Sequence, residues 1–73
     1  MQMKERIWKL RTDLHMTREQ FAEEFGVSKQ AVQKWETGAS YPELSKLIAI
    51  SKRFDISLDA LVLDRDMRAV EDS

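Results

Sequence analysis

Apolar residues recur at helical spacing along most of the chain, with polar residues filling the faces between them. Met3, Ile7, Leu10 and Leu14 lie four, three and four positions apart, which puts them on one face of a helix over about residues 3–14. Lys4, Glu5, Arg6, Lys9 and Asp13 cover its other faces. His15 follows where a helix end favours a left-handed residue, a conformation that histidine tolerates better than most side chains. Thr17-Arg18-Glu19-Gln20 then has the spacing of a capping box, with Thr17 as N-cap and Gln20 three positions on. Met16 and Phe21 sit where a hydrophobic staple would close. Phe21, Ala22 and Phe25 continue a short apolar stripe up to Gly26.

Gly26 supplies the positive φ that ends this second helix, and Ser28 is placed to cap a third over 29–37, stopped by Gly38. Val32 and Trp35, with Ala31 alongside, form its inner face and leave Lys29, Gln30, Gln33 and Lys34 outside. Two short helices joined by a tight turn have the layout of a helix-turn-helix. Gly38 to Pro42 is a loop, with Pro42 suited to the first turn of a fourth helix that Leu44, Leu47, Ile48, Ser51 and Phe54 carry to about Phe54. Ser57 caps a fifth helix, whose inner face is Leu58, Leu61 and Val62. No period-two alternation and no internal repeat occurs. The expected fold class is all-α, a compact five-helix bundle over 1–63, followed by a short charged tail, 64–73, as a frayed helix.

Composition narrows the chemistry. Seventy-three residues suffice for one domain, and a 42% hydrophobic content is that of a globular chain rather than a disordered one. The absence of cysteine removes disulfides, a thiol nucleophile and the common zinc sites together, and points to a reducing cytoplasm. The N-terminus opens directly into charged periodic sequence, so no signal peptide is expected. No apolar run approaches the roughly 18 residues of a membrane span. Enzymatic readings lack parts. His15 is the one histidine, and with two glycines no phosphate-cradling loop can be built. Glu23-Glu24 and Asp64/Asp66 are neighbouring acids that point different ways on a helix and read as solvated surface charge. No cofactor and no metal is expected.

Charge is informative by its distribution. The net charge is −1, but residues 1–63 hold ten basic and nine acidic side chains, and the tail 64–73 holds two basic and four acidic ones. In the third helix, Lys29, Gln30, Gln33 and Lys34 follow the pattern i, i+1, i+4, i+5, one face of a helix. Glutamine pairs bidentately with adenine and lysine donates to guanine O6 and N7, so this face, with Ser28 at its start, has the side chains to read base edges in a major groove. From spacing alone it is equally an ordinary solvated surface. Arg18 lies at the start of the second helix, where a cation and outward backbone N–H groups would meet a phosphate together. The acids Glu19, Glu23 and Glu24 are expected to face away from that side.

Several motifs together carry a resemblance. Arg6-Ile7-x-x-Leu10-Arg11, Met16-Thr17-Arg18-Glu19-Gln20-Phe21-Ala22, Phe25-Gly26-Val27-Ser28, Ala31-Val32-x-x-Trp35-Glu36-x-Gly38 and Pro42-x-Leu44-x-x-Leu47 resemble the Cro/repressor-type (XRE-family) helix-turn-helix domain over about residues 4–63. The resemblance implies a five-helix bundle that binds operator DNA, usually as a dimer, and most often represses transcription. It implies a cytoplasmic protein, bacterial or phage-encoded. It makes the third helix the recognition helix, with Ser28, Lys29, Gln30, Gln33 and Lys34 at base- and phosphate-contacting positions and Thr17 and Arg18 at phosphate-contacting ones. The family more often has glutamine where Arg18 stands. Glu36 matches an acid that commonly pairs with the arginine at position 11, so Arg11 and Glu36 are expected to support the structure, and Trp35 to belong to the core. His15 replaces the family's usual glycine.

Two features fit a monomer less well. Trp8 falls off the apolar face of the first helix, and Met67 and Val70 could extend a helix into the tail. A lone exposed aromatic needs no special explanation. The alternatives are a dimer surface or a protein partner, as in an antitoxin or anti-repressor that uses the same fold.

Overall fold

Several of the helix ends are set by local chemical signals. The computed structural model describes residues 2–62. Among these residues five helices run in order: α1 (Met3–Asp13), α2 (Arg18–Phe25), α3 (Lys29–Thr37), α4 (Leu44–Phe54) and α5 (Leu58–Val62). The capping box before α2 is complete, with Gln20 N donating to Thr17 Oγ1 at 3.0 Å and Thr17 N donating to Gln20 Oε1 at 2.8 Å. Ser28 Oγ accepts from Ala31 N (3.1 Å) at the head of α3, and Ser57 Oγ accepts from Ala60 N (3.0 Å) at the head of α5. Gly26 and Gly38 close α2 and α3 with φ of 66° and 83°.

Among the described residues two non-glycine residues also take positive φ, His15 at 56° and Asp55 at 55°. A left-handed backbone at a residue with a Cβ is disfavoured. His15→Gly is therefore expected to raise unfolding free energy by about 0.5–1 kcal/mol, the strain relieved exceeding the added entropy of the unfolded chain. A urea titration measures this, and an unchanged or lowered midpoint would show that the strain at His15 does not exceed that entropy.

The core gathers Ile7, Phe21, Ala22, Phe25, Val32, Trp35, Ile50 and Leu61, drawn from all five helices. Phe21 is its centre, tilted against Phe25 at 4.8 Å between ring centroids and stacked on Phe54 at 6.0 Å. Apolar burial of this kind is the main force holding so short a chain together.

Four expectations change. Leu14 leaves the apolar face of α1: the helix ends at Asp13, Leu14 is its C-cap, and the left-handed turn at His15 swings it outward. Pro42 precedes α4 instead of opening it, because the extended Glu43 (ψ 165°) is the N-cap, and the proline ring is buried there. In α4 the inward face runs Leu47, Ile50, Phe54, leaving Leu44 and Ile48 exposed. Val62 is exposed as well, while Leu61 beside it on α5 is buried. The tail 64–73, with Met67 and Val70, lies outside the described residues.

Candidate nucleic-acid interface

The site is built by α2, the turn Gly26–Ser28 and α3. Val32 and Trp35 are buried, which turns the opposite side of α3 to solvent, and Lys29, Gln30, Gln33 and Lys34 are all exposed on it. Ser28 is exposed at the helix head. The hydroxyls of Ser28 and Thr17 accept cap bonds from Ala31 N and Gln20 N, so each keeps its own proton to donate elsewhere. Lys29 Nζ lies 3.9 Å from Glu19 Oε1, with both side chains more than half exposed, a contact worth little in water. It does place Glu19 beside the head of α3, contrary to the expectation that all the acids of α2 turn away. Glu24 instead pairs with Arg53.

Behind this face sits a charged cluster that anchors α3. Glu36 has a side chain only 1% exposed. Arg11 Nε donates to Glu36 Oε2 at 2.6 Å and Arg11 Nη2 to Glu36 Oε1 at 3.1 Å. The remaining Arg11 nitrogen, Nη1, donates to the Met16 carbonyl at 2.8 Å. One guanidinium thus ties α1, the segment before α2, and α3. Bidentate arginine–carboxylate pairing of this sort is strong and directional.

Arg18 joins the same carboxylate, its Nε donating to Glu36 Oε1 at 2.9 Å. No sequence signal announces this second link, because residues 18 and 36 meet only through the packing of α2 on α3. Trp35 lies in the core and presents nothing to the exposed face. Among the described residues no group of histidines or acids could hold a metal ion, and no helix is long and apolar enough to cross a membrane.

The pattern of the helix-turn-helix family matches residues 9–61. The chain belongs to the helix-turn-helix family. This is the family whose Cro/repressor-type motifs the sequence resembles. Within it, the chain is similar to the HTH-type transcriptional activator BcrR of Enterococcus faecalis, at 39% identity over 67 residues, covering 92% of this chain and 33% of that protein. It is also similar to the cryptic phage CTXphi transcriptional repressor RstR of Vibrio cholerae, at 34% identity over 61 residues, covering 84% of this chain and 54% of that protein. A crystal structure of a transcriptional regulator from Listeria innocua matches the fold with a TM-score of 0.79 at 25% identity, covering 96% of this chain and 70% of that one. The chain therefore spans a third of the activator's length and about half of the repressor's. One helix-turn-helix relative is named an activator and the other a repressor, so family membership leaves the direction of regulation open.

Proposed function

We propose that this chain is a sequence-specific DNA-binding transcriptional regulator that inserts α3 into the major groove of duplex DNA. The observation that carries the reading is the exposed face Lys29, Gln30, Gln33 and Lys34, with Ser28 at its head, on a helix whose other side is buried and braced by Arg11 and Glu36. Glutamine and lysine side chains so placed match the donor and acceptor patterns of base edges. Thr17 and Arg18 at the head of α2 contact flanking phosphates in this reading. A homodimer would set two copies of α3 in successive major grooves about 34 Å apart and so read a palindromic operator. Repression by occupying a promoter is the expected mode, in the cytoplasm.

Gln30→Ala or Lys34→Ala is expected to cost about 1–3 kcal/mol on the preferred site and to relax base preference at one position. Selection of bound duplexes from a random pool gives that site and its half-site spacing. Competition titrations at fixed salt then measure the variants, and unchanged affinity and preference for Gln30→Ala would remove α3 from its recognition role.

One observation favours a protein partner as a second reading. Trp8 is 51% exposed and, with Lys4, Lys9 and Thr37, lines a shallow pocket between α1 and the end of α3. Sedimentation and DNA affinity of Trp8→Ala test it; if neither moves, Trp8 has no such role.

A further inference from the structure

Arg18 is bound to the Glu36 cluster without being needed to complete it. Arg11 alone gives each carboxylate oxygen of Glu36 a donor, Nε to Oε2 and Nη2 to Oε1. Arg18 adds a second donor to Oε1 through Nε and uses no other nitrogen: among the described residues no acceptor takes a proton from its Nη1 or Nη2. Its side chain is 37% exposed, whereas the carboxylate it holds is buried. The cluster of Arg11, Arg18 and Glu36 carries two guanidinium charges against one carboxylate, a surplus of one positive charge within it.

We infer that Glu36 is a positioning residue for DNA binding, holding Arg18 by its Nε–H so that the Nη edge of the guanidinium is presented to a backbone phosphate of the duplex. The inference rests on the DNA-binding reading above and adds to it the group that aims the clamp. A guanidinium is flat and rigid, so fixing the Nε–H direction fixes where the Nη pair points. Two parallel N–H donors then suit two phosphate oxygens. Held in advance, the side chain loses less rotamer freedom when the phosphate arrives. A lysine at this position has one ammonium, which cannot fork between a buried carboxylate and a phosphate in the same way. The same geometry makes Arg18 dispensable to the fold, because an ion pair with a partly exposed member adds little stability.

The test uses the full chain and a short random-sequence duplex, titrated over a range of salt concentrations, with helix content by circular dichroism confirming that each variant is folded. Arg18→Ala is expected to bind roughly tenfold more weakly, with a log affinity against log salt slope shallower by about one. Arg18→Lys, which keeps the charge and so a salt slope near the wild type's, is expected to lose most of the affinity that Arg18→Ala loses, because its ammonium lacks the aimed pair of parallel donors. Glu36→Asp, which withdraws the carboxylate by one methylene, is expected to weaken binding clearly more when Arg18 is present than in the Arg18→Ala background, where only its bracing of α3 through Arg11 is left to lose. Wild-type affinity in Arg18→Lys would overturn the inference, since charge alone would then suffice. Equal losses from Glu36→Asp in both backgrounds would overturn it too, since Glu36 would not be acting through Arg18. If Glu36→Asp fails to fold, Glu36→Gln, which keeps the side-chain length and one acceptor oxygen but removes the charge, takes its place in the same two backgrounds. A wild-type chain without salt-linked binding to any duplex would instead sink the DNA-binding reading, an outcome visible before any variant is made.

Discussion

Phe21→Ala is expected to leave the domain largely unfolded near physiological temperature. Phe21 is fully buried and contacts the rings of Phe25 and Phe54, so it joins two turns of α2 to the end of α4. Removing a buried phenylalanine costs about 3–5 kcal/mol, from lost transfer free energy and the cavity left behind. A domain of this length has roughly 4–11 kcal/mol in all, so the loss is a large share of the total. A melt followed by circular dichroism should show the midpoint falling by about 15 °C or more. Tyr41→Ala, at a side chain 70% exposed, is the matched control and is expected within about 0.5 kcal/mol of wild type. A loss below about 1 kcal/mol for Phe21→Ala would mean that the site collapses around the cavity and that the aromatic cluster is not the centre of the fold.

Glu36→Ala is expected to have the next largest effect on stability, about 3 kcal/mol, for a different reason. It removes an acceptor rather than volume. Arg11, with a side chain only 12% exposed, would keep its bond to the Met16 carbonyl and lose both of its bonds to the carboxylate. A buried cation left without its counter-charge is costlier than the intact pair was favourable. Replacing both members, Arg11→Met with Glu36→Leu, should therefore destabilise by less than the sum of the two single changes. Urea unfolding of the four proteins closes the cycle. Additive losses would show that the two side chains contribute independently, and the bracing role given to them would fall.

The helix boundaries were legible in the sequence because capping is short-range chemistry. Thr17 with Gln20, Ser28 with Ala31 N, and the glycines at 26 and 38 each act within a few positions, so residue order alone identifies them. The polar face of α3 was legible for a similar reason, since Val32 and Trp35 fix which side faces in. The misplacements arise where tertiary contact decides between near-equivalent apolar stripes. Along α4 the pattern permits Leu44 and Ile48 or Ile50 to turn inward, and the neighbouring helices select Ile50. Leu14 stands at a helix end, where one residue more or less of helix moves a side chain from core to solvent. The Arg18 link to Glu36 lay beyond sequence reasoning altogether, because it depends on the distance between two helices and not on the spacing within either.

The single guanidinium of Arg11, bonded at once to the Met16 carbonyl and to Glu36, also bears on the thermodynamics of any association through α3. The segment leading into α2 and the far end of α3 are fixed to α1 before a partner arrives. Docking then has little backbone entropy left to remove, and the ordering cost falls on the exposed side chains of α3. Its heat-capacity change should follow the apolar surface covered, without the large negative contribution that accompanies folding on binding.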